Sequence, residues 1–334
     1  MNLSCDVLVG LQHGDEGKGK VTKCFAETGN YNYCVRFNGG PNAGHTIYFD
    51  GKKVVTHQIP TGIFYNMNCL IGTGCVIDID KLKKEITYIN ECGIDVSKYL
   101  KISKYAHIIT KEHLEDDIIN DKIGSTKNGI RPAYRDKYDR KGLRMGSFCN
   151  KILGCEVVDP YEVLNKDGNY ILFEGAQGFE LDVDSPNYPY VTSSHCLVGH
   201  INTCGVSVKT INDIIGIIKI YDTYVGNKEF QNNDPDILEL GKIGEEFGST
   251  TGRRRQCNWL NISSLIKAIR INGVNILIIN KCDIIKKLDI YKLYYDGKLL
   301  SFHSFELMEI FINKTLNELF PKLKIIYSQS KDTI

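Results

Sequence analysis

Little in this 334-residue sequence is strongly biased, and the missing biases are informative. Lysine and arginine number 41 against 40 aspartates and glutamates, a net charge of +1. No overall field is available to draw the chain to nucleic acid or to an acidic membrane, so any anion must be met by local clusters. No apolar run approaches the ~20 residues that cross a bilayer. The opening Met1–Asp6 has neither the basic start nor the apolar stretch of a secretory leader. Cysteine is plentiful at twelve, but no two are three apart, so the CxxC framework of a structural zinc site is missing. Without an export signal the expectation is reduced thiols in a cytoplasmic protein that binds neither nucleic acid nor membrane.

A hydrophobic fraction of 42% and 24% charge are ordinary for a globular chain. Short apolar strands alternate with longer amphipathic segments, which predicts an α/β fold. Cys5–Leu11, Tyr170–Glu174, Ile215–Tyr221, Ile276–Asn280 and Lys324–Ser328 read as strands. Leu82, Ile86 and Ile89 recur at helical spacing before Gly93. Leu307, Ile310, Phe311 and Leu316 mark a late helix. Asp50-Gly51 and Asp296-Gly297 are dipeptides of tight hairpin turns. Ser125–Arg144 and Asp182–Ser207 read as long functional loops. At roughly 150 residues per domain the length allows two domains or one large α/β unit. The expectation is a single domain over residues 1–334.

The first strand runs into Gly14-Asp15-Glu16-Gly17-Lys18-Gly19-Lys20, the GxxxxGK part of a phosphate-binding loop. Glycines let backbone amides approach phosphate oxygens, and a helix start with two lysines adds positive potential. Val21 stands where Ser or Thr would be expected to meet Mg²⁺. The strand Ile276–Ile279 ends in Asn280-Lys281-Cys282-Asp283, an NKxD pattern whose Asp can accept two hydrogens from guanine. Thr250-Thr251-Gly252-Arg253-Arg254-Arg255 suits a clamp for carboxylates or phosphates. His45, in the glycine-rich Asn38–Thr46, is placed to act as a general acid. A GTPase switch would use the glycine loop and NKCD, but it leaves Asn42–Thr46 and Thr250–Arg255 without a task.

Taken together, these segments resemble the adenylosuccinate synthetase family. The likeness rests on Gly14–Lys20, Asn42–Thr46, Gly124–Thr126 with Pro132–Tyr134 and Arg140, Phe173–Gly178, Tyr188–Ser194 and Thr250–Arg255, in the family's order. It implies a mostly parallel sheet flanked by helices, with P-loop-like GTP binding and long active-site loops. It also implies GTP-dependent ligation of L-aspartate to IMP through a 6-phosphoryl intermediate. Asp15 resembles the base, His45 the acid and Lys18 the support for the phosphates. The GTP positions are Gly14, Asp15, Glu16, Gly17, Lys18, Gly19, Lys20, Gly44, His45, Thr46, Arg255, Lys281, Cys282, Asp283, Ser328, Gln329 and Ser330. Those for IMP are Asp15, Glu16, Gly17, Lys18, Asn42, Ala43, Gly44, His45, Thr126, Gln177, Thr192 and Arg253, with Arg140 supplied across a homodimer. Aspartate falls to Ser249, Thr250, Thr251, Gly252, Arg253, Arg254 and Arg255, and Mg²⁺ to Asp15 and the Gly44 carbonyl. His13, Pro41, Lys127 and Arg131 depart from the usual pattern. Short forms include phage enzymes that act on dGMP, which makes dGMP the competing substrate.

Overall fold

The computed structural model describes residues 2–27, 30–248 and 252–334. Ten strands form one sheet in the order Lys324–Tyr327, Ile276–Asn280, Ile211–Lys219, Ser4–Gly10, Tyr170–Glu174, Tyr33–Arg36, Asn68–Ile71, Leu100–Ser103, Cys155–Val158 and Lys151–Ile152. Every pairing is parallel except the last, between Cys155–Val158 and Lys151–Ile152. The expected α/β class and mostly parallel sheet are therefore present. The inner strands are near-continuous apolar runs because both sheet faces are covered. Cys5 to Gly10 are all buried, as are Leu277 to Asn280. Val7, Phe37, Phe173, Ile218 and Ile279 pack on one face, while Cys34, Cys69, Ile71 and Leu172 pack on the other. A smaller sheet of Tyr221–Tyr224, Gln256–Asn261, Tyr291–Tyr295 and Lys298–Phe302 lies after it.

Both predicted hairpins form. Asp50 and Gly51 have φ of 48° and 73°, and Asp296 and Gly297 have 47° and 73°, the left-handed pair that a two-residue turn requires. The helix Ile79–Glu91 starts where the Asp78 side chain accepts from the Lys81 amide, and it buries Leu82, Ile86 and Ile89. The late helix forms as Phe305–Leu319 and buries Phe305, Met308, Ile312 and Leu316, with Leu307 and Ile310 on its exposed side. One expectation, a loop throughout Ser125–Arg144, needs correction. The stretch 125–144 contains a helix, Ile130–Tyr138, that packs Ile130, Ala133 and Tyr134 against Val76 and Ile109.

All twelve cysteines are free thiols. Among the described residues no helix is long and apolar enough to cross a membrane.

The chain leaves the first strand outward, through Tyr33–Arg36 to Cys155–Val158. It then returns to insert Tyr170–Glu174 beside Ser4–Gly10, and places Ile211–Lys219 on the other side. The order reverses at Ser4–Gly10. In open parallel sheets a ligand crevice forms at such a point, beyond the carboxyl ends of the strands.

Candidate active site

A cleft of about 970 Å³ opens at that point. The turn after Ser4–Gly10 builds its floor. Gly14, Asp15 and Gly17 all have positive φ, and the helix Lys18–Glu27 begins directly after them. Glu16 sets the shape of this turn. Its fully buried carboxylate accepts from the amides of Gln12 at 3.2 Å and Gly14 at 3.0 Å, and pairs with Lys18 Nζ. A Cβ on Gly10 or Gly178 would sit 2.5 or 2.4 Å from that carboxylate, so both positions need glycine. Glu16 therefore neutralises Lys18 from behind and offers a ligand only its backbone. Gly14, Asp15, Gly17, Lys18 and Gly19 line the cleft.

The hairpin His45–Phe49 with Lys52–Thr56 supplies the second wall. A Cβ on Gly19 would lie 2.9 Å from His45 Cβ, so the glycine lets the helix start close against the histidine. His45 is buried, and its Nδ1 is hydrogen-bonded to Glu174 Oε1. That leaves Nε2 as the ring nitrogen open to a ligand. Glu174 ends the strand beside Ser4–Gly10 and is fully buried. It also accepts from the Thr61 amide at 2.8 Å and hydroxyl at 2.6 Å, and Arg36 Nη2 approaches it to 3.7 Å. Burial opposes its ionisation, but Arg36 and His45 hold the carboxyl well below the ordinary range. Burial and the Arg36 charge lower the His45 imidazole to about 4. The pair is thus a neutral imidazole on a carboxylate, and an anion placed at Nε2 would supply charge that favours its protonation.

Further around the cleft lie Asn42, Ala43, Gly44, Thr46, Thr126, Gln177, Thr192, Arg253 and Arg255. Asn42 Oδ1 and Gln177 Oε1 are buried acceptors without a hydrogen-bond partner among the described residues. Arg253 Nη2 donates to the Gly124 carbonyl at 2.8 Å, which fixes the loop that carries Thr126. Arg255 Nε meets Asp15 Oδ2 at 2.6 Å, and its Nη1 meets Glu246 Oε2 at 2.6 Å. Asp15 therefore stands at the cleft mouth beside a guanidinium, with its side chain 30% exposed.

Other expected positions lie away from this cleft. Lys20 turns from it, donating to Ser328 Oγ at 2.7 Å and the Ser330 carbonyl at 2.9 Å. Burial lowers its ammonium to about 8. Asn280 Nδ2 donates to the Glu16 carbonyl at 2.7 Å, tying the NKCD turn to the phosphate loop from behind. Lys281, Cys282, Asp283, Ser328, Gln329 and Ser330 are grouped there, with the Cys282 amide donating to the Ser328 carbonyl at 3.2 Å. Cys282 and Ser328 are buried, whereas Asp283 is partly exposed and lies 3.9 Å from Lys287. Gly252 and Arg254 are exposed and do not line the cleft. Arg140 is exposed at φ 61° and is also absent from the cleft lining. Ser249, Thr250 and Thr251 lie outside the described residues.

Sequence reasoning passed over Arg36, Thr61, Glu174 and Glu246, which hold the cleft residues in place. Glu174 lies within Phe173–Gly178, yet one strand residue among apolar neighbours gives no sign that it will meet a histidine from position 45. Tyr188 to Val191, Tyr224 and Val225 also line the cleft. Asp182, Asp184 and His195 form the grouping among the described residues that could hold a metal ion. Asp182 there already accepts from the amides of Asp184 and Cys196, as a loop brace does.

A sequence model described as adenylosuccinate synthetase matches residues 7–159 and 155–303. The adenylosuccinate synthetase of Thermodesulfovibrio yellowstonii is 39% identical over 334 residues, covering 85% of this chain and 78% of the relative. The structure of fully ligated adenylosuccinate synthetase from Plasmodium falciparum superposes with a TM-score of 0.84 at 27% identity, over 99% of this chain and 98% of that one. Cyanophage S-2L succinoaminodeoxyadenylate synthetase, bound to dGMP and dATP, has a TM-score of 0.77 over 99% of this chain and 94% of its own. At 22% identity that likeness concerns the fold alone.

Proposed function

This chain belongs to the adenylosuccinate synthetase family, ligases of purine nucleotide biosynthesis, and from that premise we propose that its cleft joins L-aspartate to IMP at the expense of GTP. The observation that carries the reading is the convergence of Asp15, the His45–Glu174 pair and Arg255 on one cleft around a phosphate loop. A purine 6-oxo group leaves poorly until it is phosphorylated. Asp15 takes the N1 proton, which makes O6 nucleophilic toward the γ-phosphoryl of GTP. His45 Nε2 meets the transferring group, and Glu174 behind it stabilises the imidazolium. The amide-rich turn Gly14–Lys18 holds the phosphates. Asn42 and Gln177, with their unpartnered oxygens, and Thr126, Thr192 and Arg253 hold the nucleoside monophosphate. The aspartate amino group then displaces the 6-phosphate while Arg253 and Arg255 hold its carboxylates.

The donor set suits Mg²⁺, a hard cation that takes few protein ligands and completes its shell with phosphate and water. Asp15 presents a partly exposed carboxylate with its Oδ2 on Arg255, and Gly44 lines the same cleft. Asp15 and the Gly44 carbonyl would hold the ion, which would neutralise charge on the phosphoryl group in flight.

Asp283 reads the guanine of GTP beside Ser328–Ser330. Arg140 enters the partner subunit's cleft in a homodimer, a reading supported by its exposure and by exposed Tyr138, Leu143 and Phe148 in the same segment. The whole chain acts as one cytoplasmic catalytic unit. IMP is preferred over dGMP because the 2-amino group of dGMP would crowd the Asp15 carboxylate. Incubation with GTP, Mg²⁺, aspartate and either IMP or dGMP, with products identified by mass, tests this. Adenylosuccinate is expected, whereas faster turnover of dGMP assigns the chain to the other substrate. GTP hydrolysis indifferent to aspartate refutes the ligase reading.

A further inference from the structure

Glu246 has no part in the chemistry above, yet it gathers several of that chemistry's supports. It follows the helix Pro235–Ile243 and is fully buried. Its Oε1 accepts from the Tyr221 hydroxyl at 2.6 Å. Its Oε2 accepts from Lys219 Nζ at 3.3 Å and Arg255 Nη1 at 2.6 Å. Lys281 Nζ lies 4.0 Å from Oε1 and donates to the Gly244 carbonyl at 3.0 Å. The Arg255 amide returns to the Glu246 carbonyl at 2.9 Å. A carboxylate this deep is tolerated only when donors surround it. Burial alone would raise the Glu246 carboxyl, but Lys219, Arg255 and Lys281 bring it down to about 2.

Arg255 is therefore gripped at both ends by carboxylates of different character. Asp15 is 30% exposed and lines the cleft, whereas Glu246 is 0% exposed. A ligand can compete for the first grip and cannot reach the second. Once a nucleotide or cation engages Asp15, the guanidinium loses that partner and remains anchored through Nη1. Its other N–H groups are then available to an anion at the cleft mouth.

On the reading of the cleft given above, we infer that Glu246 is a positioning residue for the dicarboxylate substrate. It holds the Arg255 guanidinium at the cleft mouth after Asp15 is engaged, and so sets the affinity for L-aspartate without touching a reactant. Through Lys281, 4.0 Å from Oε1, the same carboxylate joins the aspartate side of the cleft to the NKCD turn that lies outside it.

The test compares Glu246→Gln, Glu246→Asp and the double variant Lys219→Met/Glu246→Gln in the full chain. The double variant removes the lysine with its counter-charge, so no bare ammonium stays buried. Initial rates are measured while IMP, GTP and aspartate are varied in turn. The expected result is an aspartate KM raised about tenfold or more in both amide variants, with the IMP KM changed by less than about threefold. At saturating aspartate kcat should stay within about fivefold of wild type, and Glu246→Asp should recover part of the aspartate affinity. A wild-type aspartate KM in the double variant overturns the inference. So does an equal rise in all KM values, or a loss confined to kcat, which a structural role would give. If neither amide variant folds, Glu246→Asp decides: its shorter carboxylate should raise the aspartate KM selectively, by less than the amides would, and a wild-type aspartate KM in it overturns the inference. A wild-type enzyme that never joins aspartate to IMP refutes the proposed function itself, a result distinct from all of these.

Discussion

Replacing Glu174 by Gln separates two tasks of one buried carboxylate. Glu174 counters the charge of Arg36, which is 2% exposed and whose Nε and Nη1 have no hydrogen-bond partner among the described residues. With so few other partners, the guanidinium loses most of its compensation when the carboxylate becomes an amide. Breaking one side of a buried pair costs about 3–5 kcal/mol, and the upper part of that range is expected here. Gln can still accept from His45 Nδ1, but it brings no charge to steady an imidazolium. Phosphoryl transfer should therefore fall about 10²-fold, the lower end for a positioned acid–base group. Arg36→Met/Glu174→Gln removes both charges and should regain most of the stability while staying slow. Urea unfolding gives the first quantity, and single-turnover release of GDP from enzyme loaded with GTP and IMP gives the second. A folded double variant that transfers phosphate at the wild-type rate would show that Glu174 only packs against His45.

Three further outcomes follow from the same geometry. Stability should fall as pH drops from 7 to 5. Burial, then neighbouring cations, lower His45, His107 and His200 to about 4, so between their unfolded value of ~6.5 and 4 the unfolded chain binds more protons. His13, Glu85, Asp117 and Glu180 are raised and oppose them, and a urea midpoint unchanged or higher at pH 5 would contradict this sum. Asp283→Asn should weaken GTP by about 10- to 150-fold, the loss of a charge-assisted pair worth about 1.5–3 kcal/mol, and should favour XTP. An unchanged KM for GTP means the base is read elsewhere. Mixing inactive Asp15→Asn and Arg140→Leu chains should restore about a quarter of wild-type activity, because half the dimers are mixed and one site in each is intact. No recovery in demonstrably mixed dimers removes Arg140 from the partner's site.

The parts of the fold that could be read in advance are those written in neighbouring residues. Asp50-Gly51 and Asp296-Gly297 carry their turns locally, and Ile276–Asn280 is apolar enough to be a buried strand in any context. The glycines of the turn after the first strand, Gly14 and Gly17, are similarly explicit in the positive φ they adopt. What escaped was relational. Leu307 and Ile310 are as apolar as Met308 and Ile312, and only the neighbouring sheet decides which pair is buried. Ile130–Tyr138 is rich in charge, so its narrow apolar stripe against Val76 and Ile109 does not stand out in the sequence. Glu16 shows the same difficulty inside a motif. Its place in an anion-binding loop suggested a ligand, whereas its carboxylate closes on Lys18 and two amides. Arg36 and Glu246 act through partners 138 and nine residues away, and neither has a motif of its own.

The position of the first strand at the centre of the sheet has a consequence for the order of assembly. Tyr33–Arg36, Asn68–Ile71, Leu100–Ser103 and Cys155–Val158 pair with successive neighbours and can form one wing as they leave the ribosome. Ser4–Gly10 leaves before any of them. Its partners begin with Tyr170 on one side and Ile211 on the other. At ~5–20 residues per second it waits on the order of ten seconds or more for its first neighbour and longer for its second. Such distant pairings carry a loop-closure cost that slows folding. The turn at the end of this strand, proposed above to hold the phosphates, is thus translated early and completed late. On that proposal a nascent chain should gain affinity for nucleotide only after most of its length exists, so nucleotide added to a stalled ribosome series should protect long intermediates from proteolysis and leave short ones unaffected.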